Sequence, residues 1–388
     1  MGVSARGRRL ATDARNHRDR ARTPTPNPSP QRGGRRALHP LAAIFGLFAL
    51  AISAPALAQP IEVRVVIVTT WEASFNGKDV FGELSAWERG WPLPQELPFP
   101  GGVHPLRYDP KTHVLAIVTG EATARAAASI TELGFDPRFD LSHAYWIVAG
   151  IAGVDPKVAS IGSAAWARYI VDGDLEQELD IRDAPPDWPT GIVPNGHLTP
   201  YEPPARPSRN NQGIILYELN RPFVDWAYAR TKDIALADDP KLVAIRAPYA
   251  GVAARPPFVL EGDGLMSARF WYGPHMNEWA ERWTDYYTAG KGHFAMSAEE
   301  DAGIMQGLTQ LSGAGKADLK RVLILRSGSD YTVGPPGMDT AAFMASEVKA
   351  DYPGSGPALA SLYAVAAPIV RFLVDDWTRT RGAVPSAP

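Results

Sequence analysis

Two apolar runs of strand length, Val114–Thr119 (VLAIVT) and Tyr145–Val148 (YWIV), flank Ala122–Leu133, an alanine-rich segment closed by Gly134 as a C-terminal stop. Strand, helix, strand at this spacing demands a parallel crossover, and a parallel crossover demands an α/β sheet covered by helices. Two more runs, Val63–Thr69 (VRVVIVT) and Val322–Leu325, read as further core strands. Helical patterns recur at 222–231, 275–288, 299–312 and 357–377. Eight prolines between Pro185 and Pro207 exclude continuous regular structure over 183–213. So long an irregular stretch suits a lid or partner surface, and equally an ordered excursion without a role.

The N-terminal 58 residues read as a removable leader. A charged stretch precedes the short apolar core Leu41–Ile52, and Ala56-Leu57-Ala58 completes a secretory signal with cleavage expected between Ala58 and Gln59. The expected organisation is therefore leader 1–58 and one domain over 59–388, secreted or periplasmic. The leader carries ten Arg and two Asp, so of 39 basic and 42 acidic residues 29 and 40 remain, a net charge of about −11. A body so acidic does not suit the phosphate backbone of nucleic acid. There is no cysteine, hence neither disulfide nor thiol chemistry. No uninterrupted apolar run after Ala58 reaches the roughly 20 residues of a membrane span.

Four segments place reactive side chains where sheets of this class hold ligands, beyond the carboxyl ends of the strands. The fourth run continues as Arg326-Ser-Gly-Ser329-Asp330-Tyr331, delivering a carboxylate that is either a turn cap or an acid. The first run ends in Thr69-Thr70-Trp71-Glu72, placing another carboxylate. The second passes into Thr119-Gly120-Glu121-Ala122-Thr123-Ala124-Arg125, where a glycine turn and helix start could face an anion or simply reverse the chain. The third passes into Ala149-Gly150-Ile151-Ala152-Gly153, small enough for a flat ligand or for tight packing. Ser297-Ala298-Glu299-Glu300-Asp301-Ala302-Gly303 sets three acids at a helix start, where the helix dipole alone would favour them. His113, His143, His275 and His293 are not spaced as ligand pairs, and Asp172-Gly-Asp174 lacks the rest of a calcium loop, so no metal or other cofactor is expected.

In this order the segments resemble the nucleoside phosphorylase/nucleosidase superfamily. The blocks LRYDPKTHVLAIVTGEATARAAASI (106–130) and AYWIVAGIAGVDPKVASIGSAAWARY (144–169) are similar to the purine nucleoside permease family. The resemblance covers about residues 60–380 and implies a phosphorylase/hydrolase-like α/β fold, a central mixed sheet flanked by helices, here with a Pro-rich insertion. It implies Asp330 as the acid that protonates N7 of a purine, beside Ser329, and Glu300 or its neighbour Glu299 as the ribose ligand. It implies Glu72, after Thr70, as the group that orients water. Gly120, Thr123 and Arg125 fall where phosphate or the sugar is held, and Gly150 under the ligand. Relatives with methionine before the ribose glutamate differ from this chain, which has Glu299. Three activities follow from the resemblance: a purine nucleosidase using water, a phosphate-dependent phosphorylase, and a non-catalytic binding component handing nucleoside to an inner-membrane carrier. A homo-oligomer is implied as well.

Overall fold

The computed structural model describes residues 59–72, 82–202 and 215–387. The leader, with its expected cleavage site, and part of the Pro-rich stretch lie outside the described residues.

The core of the sheet is built from β1 (Val65–Thr69), β2 (Val114–Val118), β3 (Tyr145–Val154), β4 (Ala164–Trp166), β5 (Tyr169–Asp172), β6 (Asp263–Met266), β7 (Phe294–Ala298) and β8 (Val322–Tyr331). β3 is the axis. One edge runs parallel to β8 from Trp146 to Val154, against Val322 to Tyr331, with a register shift at Ser329. The opposite edge pairs in parallel with β1 only from Tyr145 to Val148, and pairs again, antiparallel with β7, only at Gly153 and Val154. β1 continues in parallel to β2, and β7 to β6 and β5. Antiparallel strands close both flanks, Leu106–Asp109 beside β2 and Leu216–Glu218 beside β5, while β4 lies antiparallel on β8. The sheet is thus mixed, as expected for the α/β class.

Two strands outrun their sequence prediction. Tyr145–Val148 and Val322–Leu325 each extend to ten residues, through Gly150, Gly153 and Asp330. Apolar patterning marks only the stretch buried among large side chains. The continuation is mostly small or polar residues, and all of it is buried except the half-buried Ile151.

The helices that bear on the site are α1 (Glu83–Gly90), α2 (Thr123–Phe135), α3 (Pro274–Thr288), α4 (Asp301–Gly313) and α5 (Ser355–Asp375); others include Arg221–Thr231 and Thr340–Lys349. α5 packs over β3 and β8. It spans 21 residues, with Pro368 inside it, and an 18-residue stretch of it has mean hydropathy 1.7, so that by length and composition it could cross a membrane although no uninterrupted apolar run marks it in the sequence. Here 61% of that apolar stretch is buried within the protein. In the Pro-rich stretch, Ile192–Pro194 pairs with Glu176–Glu178, and Ile192 packs into a small core with Trp279 and Trp283.

α2 and α4 meet at Gly303, where an added Cβ would lie 2.0 Å from the Thr123 carbonyl oxygen. Gly303→Ala gains up to about 1 kcal/mol of helix propensity. The collision is with backbone, so overpacking of about 1–3 kcal/mol should win. A lowered denaturant midpoint at unchanged m-value is the expected result; a raised midpoint would show that the helices separate freely.

Candidate functional site

Between the end of β1 pairing at Val148 and the start of β7 pairing at Gly153, one edge of β3 has no strand beside it. Its backbone groups need other partners. The Ile151 N–H donates to Glu83 Oε1 at 2.8 Å, and the Ile151 carbonyl accepts from Arg326 Nη1 at 3.0 Å. Both side chains reach this point across Gly150. A Cβ there would stand 2.2 Å from Arg326 Nη1 and 2.8 Å from Glu83 Oε1, so only glycine fits.

Arg326, buried on β8, is the centre of the arrangement. It forms a forked pair with Asp301 (Nη2 to Oδ1 2.5 Å, Nε to Oδ2 3.1 Å) and a bond from Nη2 to Glu300 Oε2 at 2.9 Å. Burial works against its charge, but Asp301, Glu300 and Glu83 outweigh that and hold it ionised. Glu83, the first residue of α1, also accepts from the Thr70 N–H (2.5 Å), the Thr70 hydroxyl (3.0 Å) and the Trp71 N–H (3.1 Å), all on Oε2. Burial raises the Glu83 pKa, opposed by Arg326 and these N–H groups.

A cavity of about 550 Å³ opens over the gap. Its wall carries six carboxyl groups, from Glu83, Glu121, Glu299, Glu300, Asp330 and Asp351. Burial pushes Asp330 up to about 7; the Ser329 hydroxyl, 3.0 Å from Oδ1, opposes this and the charge of Glu347 adds to it. Burial likewise pushes Glu300 up to about 7 against the pull of Arg326, and raises Glu299 with Glu121 adding. One cationic side chain lies in the wall, Arg269, already paired with Glu176 at 2.6 Å and Glu178 at 3.1 Å.

Of the residues singled out from sequence, Asp330, Ser329, Glu299, Glu300 and Thr70 line the cavity, and Gly150 lies directly behind it. Glu72 does not. Its Oε2 accepts from the Leu84 and Ser85 N–H groups at 2.9 and 3.2 Å, capping the start of α1. Gly120 makes the left-handed turn after β2 (φ 81°), and the Thr123 hydroxyl is engaged by Asp174 and the Glu299 carbonyl. Arg125 is exposed; none of these three lines the cavity. Sequence reasoning missed Glu83 and the role of Arg326. Glu83 follows Glu72 by eleven positions, and its one signal was an acidic residue opening the apolar run Glu83–Trp87. Among the described residues no cluster of three or more His, Cys, Asp or Glu forms a metal centre.

A mixed α/β sheet with a carboxyl-walled cavity at its strand ends defines a site for a polar, uncharged or cationic small molecule. The chain belongs to the purine nucleoside permease family, whose family model matches residues 62–384. It is 33% identical over 274 residues to a probable purine nucleoside permease of Schizosaccharomyces pombe, covering 68% of this chain and 77% of that protein. It is 30% identical over 271 residues to a purine nucleoside permease of Candida albicans, covering 69% of this chain and 65% of that one. Among solved structures, a 5′-methylthioadenosine/S-adenosylhomocysteine nucleosidase of Neisseria meningitidis aligns at TM-score 0.46 and 13% identity, over 79% of this chain and 99% of its own. The futalosine hydrolase of Helicobacter pylori aligns at 0.47 and 12%, over 79% and 98%.

The Asp330 carboxyl titrates near 7 when folded against an ordinary value of 3.8. Between those values the folded chain holds a proton that the unfolded chain has lost, so rising pH favours unfolding. Wild-type stability should fall relative to Asp330→Asn from about pH 4 to about 7, by roughly 1.4 kcal/mol per unit, and level off above. Denaturation across pH checks this; a difference moving the other way would mean that the anion is the stabilised form.

Proposed function

We propose that this chain is an exported protein that binds purine nucleosides in the cavity and hydrolyses their N-glycosidic bond. The observation that carries the reading is Asp330, buried in the wall and still protonated near neutral pH, hence able to donate a proton. Asp330 gives its proton to N7 of the purine as the bond from C1′ to N9 breaks, and the electron pair leaves with the base. The sugar becomes an oxocarbenium-like cation. Around it one guanidinium, Arg326, faces three carboxyl groups, Asp301, Glu300 and Glu83, an excess of negative charge suited to a developing cation. Glu300 holds the ribose hydroxyls.

Water adds to C1′ and surrenders its proton to Glu83, which takes the part first assigned to Glu72. Three donors crowd Glu83 Oε2 while Oε1 accepts only from Ile151, so Oε1 keeps a lone pair for water. Free phosphate is disfavoured as acceptor by the six carboxyl groups, by the prior pairing of Arg269 and by the position of Arg125 outside the wall. The names of the relatives favour a second reading, a binding component of nucleoside uptake that delivers its ligand to an inner-membrane carrier.

Incubation of the purified protein with inosine, with and without phosphate, separates the readings. Free ribose and hypoxanthine are expected in both. Ribose 1-phosphate would replace hydrolysis by phosphorolysis, and saturable binding without any product would leave only the uptake role. Asp330→Asn should lower kcat by about 10²–10⁴-fold on inosine. On a nucleoside methylated at N7, whose base is already cationic, that loss should shrink to less than about tenfold, since no proton is needed. The acid must be protonated, so kcat should decline as pH rises through about 7, the value at which Asp330 titrates. A rate that climbs through that range would assign the proton to another donor.

A further inference from the structure

In the cavity wall Thr70, Glu83, Arg269, Glu300, Ser329 and Asp330 are engaged within the protein. Among the described residues, the Ser297 and Ser355 hydroxyls line the cavity without a hydrogen bond from the side chain. Ser297 stands on β7 two positions before Glu299, toward the proposed sugar end. Ser355 stands elsewhere. It is the first residue of α5, 4% exposed, and the preceding Gly354 caps the helix without any side-chain bond.

The backbone holds Ser355 close to Asp330. Gly354 lies against the strand so closely that a Cβ would be 2.1 Å from the Ser329 carbonyl oxygen, one residue before the acid. A purine carries N7 and its C6 substituent side by side on one edge. A base whose N7 meets Asp330 therefore turns its C6 substituent toward a neighbouring wall group. At the start of α5 the Ser355 N–H donates to the Tyr352 carbonyl, the Ala358 N–H donates to the Gly354 carbonyl and Pro357 has no N–H, which leaves the Gly356 N–H and the positive end of the helix dipole to favour an acceptor.

We propose that Ser355, together with the uncapped start of α5, reads the C6 substituent of the bound purine and selects an acceptor there, making 6-oxopurine nucleosides the preferred ligands. The inference rests on the nucleoside reading of the cavity. The Ser355 hydroxyl donates to O6. A 6-amino group would set a donor against the Gly356 N–H and leave it unpaired.

Trp71 in the wall provides the readout. Stopped-flow tryptophan fluorescence, recorded before turnover, gives Kd values of the full chain for inosine, adenosine and purine riboside, which has only hydrogen at C6. Wild type should bind inosine about tenfold more tightly than adenosine. Ser355→Ala should weaken inosine binding about five- to tenfold, the effect of one lost hydrogen bond, and purine riboside at least threefold less than that. Ser355→Thr, which keeps the hydroxyl, should retain the inosine preference, separating a lost hydrogen bond from a damaged fold. Equal losses on inosine and purine riboside, or tighter binding of adenosine by wild type, would overturn the assignment alone. Absence of binding by all three nucleosides would overturn the nucleoside reading with it.

Discussion

The site depends on an interruption in hydrogen bonding along one edge of β3. β1 accompanies it to Val148, β7 joins it at Gly153, and the residues between have no strand beside them. A buried backbone N–H or carbonyl left unpaired costs about as much as a lost hydrogen bond, so the gap must be filled. Glu83 and Arg326 fill it at Ile151. Glu83 is thereby fixed in the cavity wall, with Arg326 behind it, by the same contacts that complete the sheet. The absence of a Cβ at Gly150 is the steric condition for both.

Charge follows from that geometry. Arg326 cannot be buried alone, and Asp301 supplies its forked partner. Glu300 and Glu83 then share what remains of a single positive charge, which is why burial raises both carboxyl groups despite the guanidinium beside them. Asp330 has no cation among its principal influences and is raised by burial first. The wall thus contains carboxyl groups in unlike environments. Glu83 is held by backbone N–H groups that favour the anion, while around Asp330 only the hydroxyls of Ser329 and Tyr272 do so. Unlike environments of this kind are what the proposed roles of Glu83 as base and Asp330 as acid require.

The strand–helix–strand signal at 114–148 was legible because parallel strands buried on both faces must be apolar throughout. Asp330 and Gly150 stood out for a related reason, since each interrupts or ends an apolar pattern where a sheet offers its ligand edge, whereas Glu300 stood out only as an acid at a helix start and drew its role from the family resemblance. Glu83 was not, since adjacency in the chain favoured Glu72, directly after β1. Glu83 rather than Glu72 opens α1 at the cavity, with Glu72 capping the helix from outside. Arg326 stood within the motif, yet its three carboxyl partners come from α1 and the start of α4. Contacts between segments so far apart leave no local pattern. Thr123 and Arg125 show the converse: a helix start after a glycine turn looks like an anion site in any parallel sheet, and here its hydroxyl is spent on Asp174 and the Glu299 carbonyl.

A site required only to hold a neutral nucleoside would be built more cheaply from amides and hydroxyls, which hydrogen-bond without a penalty for burying charge. This cavity instead keeps Asp330 and Glu300 as carboxyl groups that titrate near 7, each displaced from its ordinary range by burial. That displacement costs stability at neutral pH and above. It has a use if charge changes in the cavity: a proton leaves Asp330 while a cation forms on the sugar, and the wall becomes more negative as the ligand becomes more positive. Binding of the ground state alone gains nothing from that, because only interactions stronger in the transition state accelerate a reaction. The energetic cost of these buried acids therefore favours catalysis over passive carriage, whatever role in uptake the relatives' names describe.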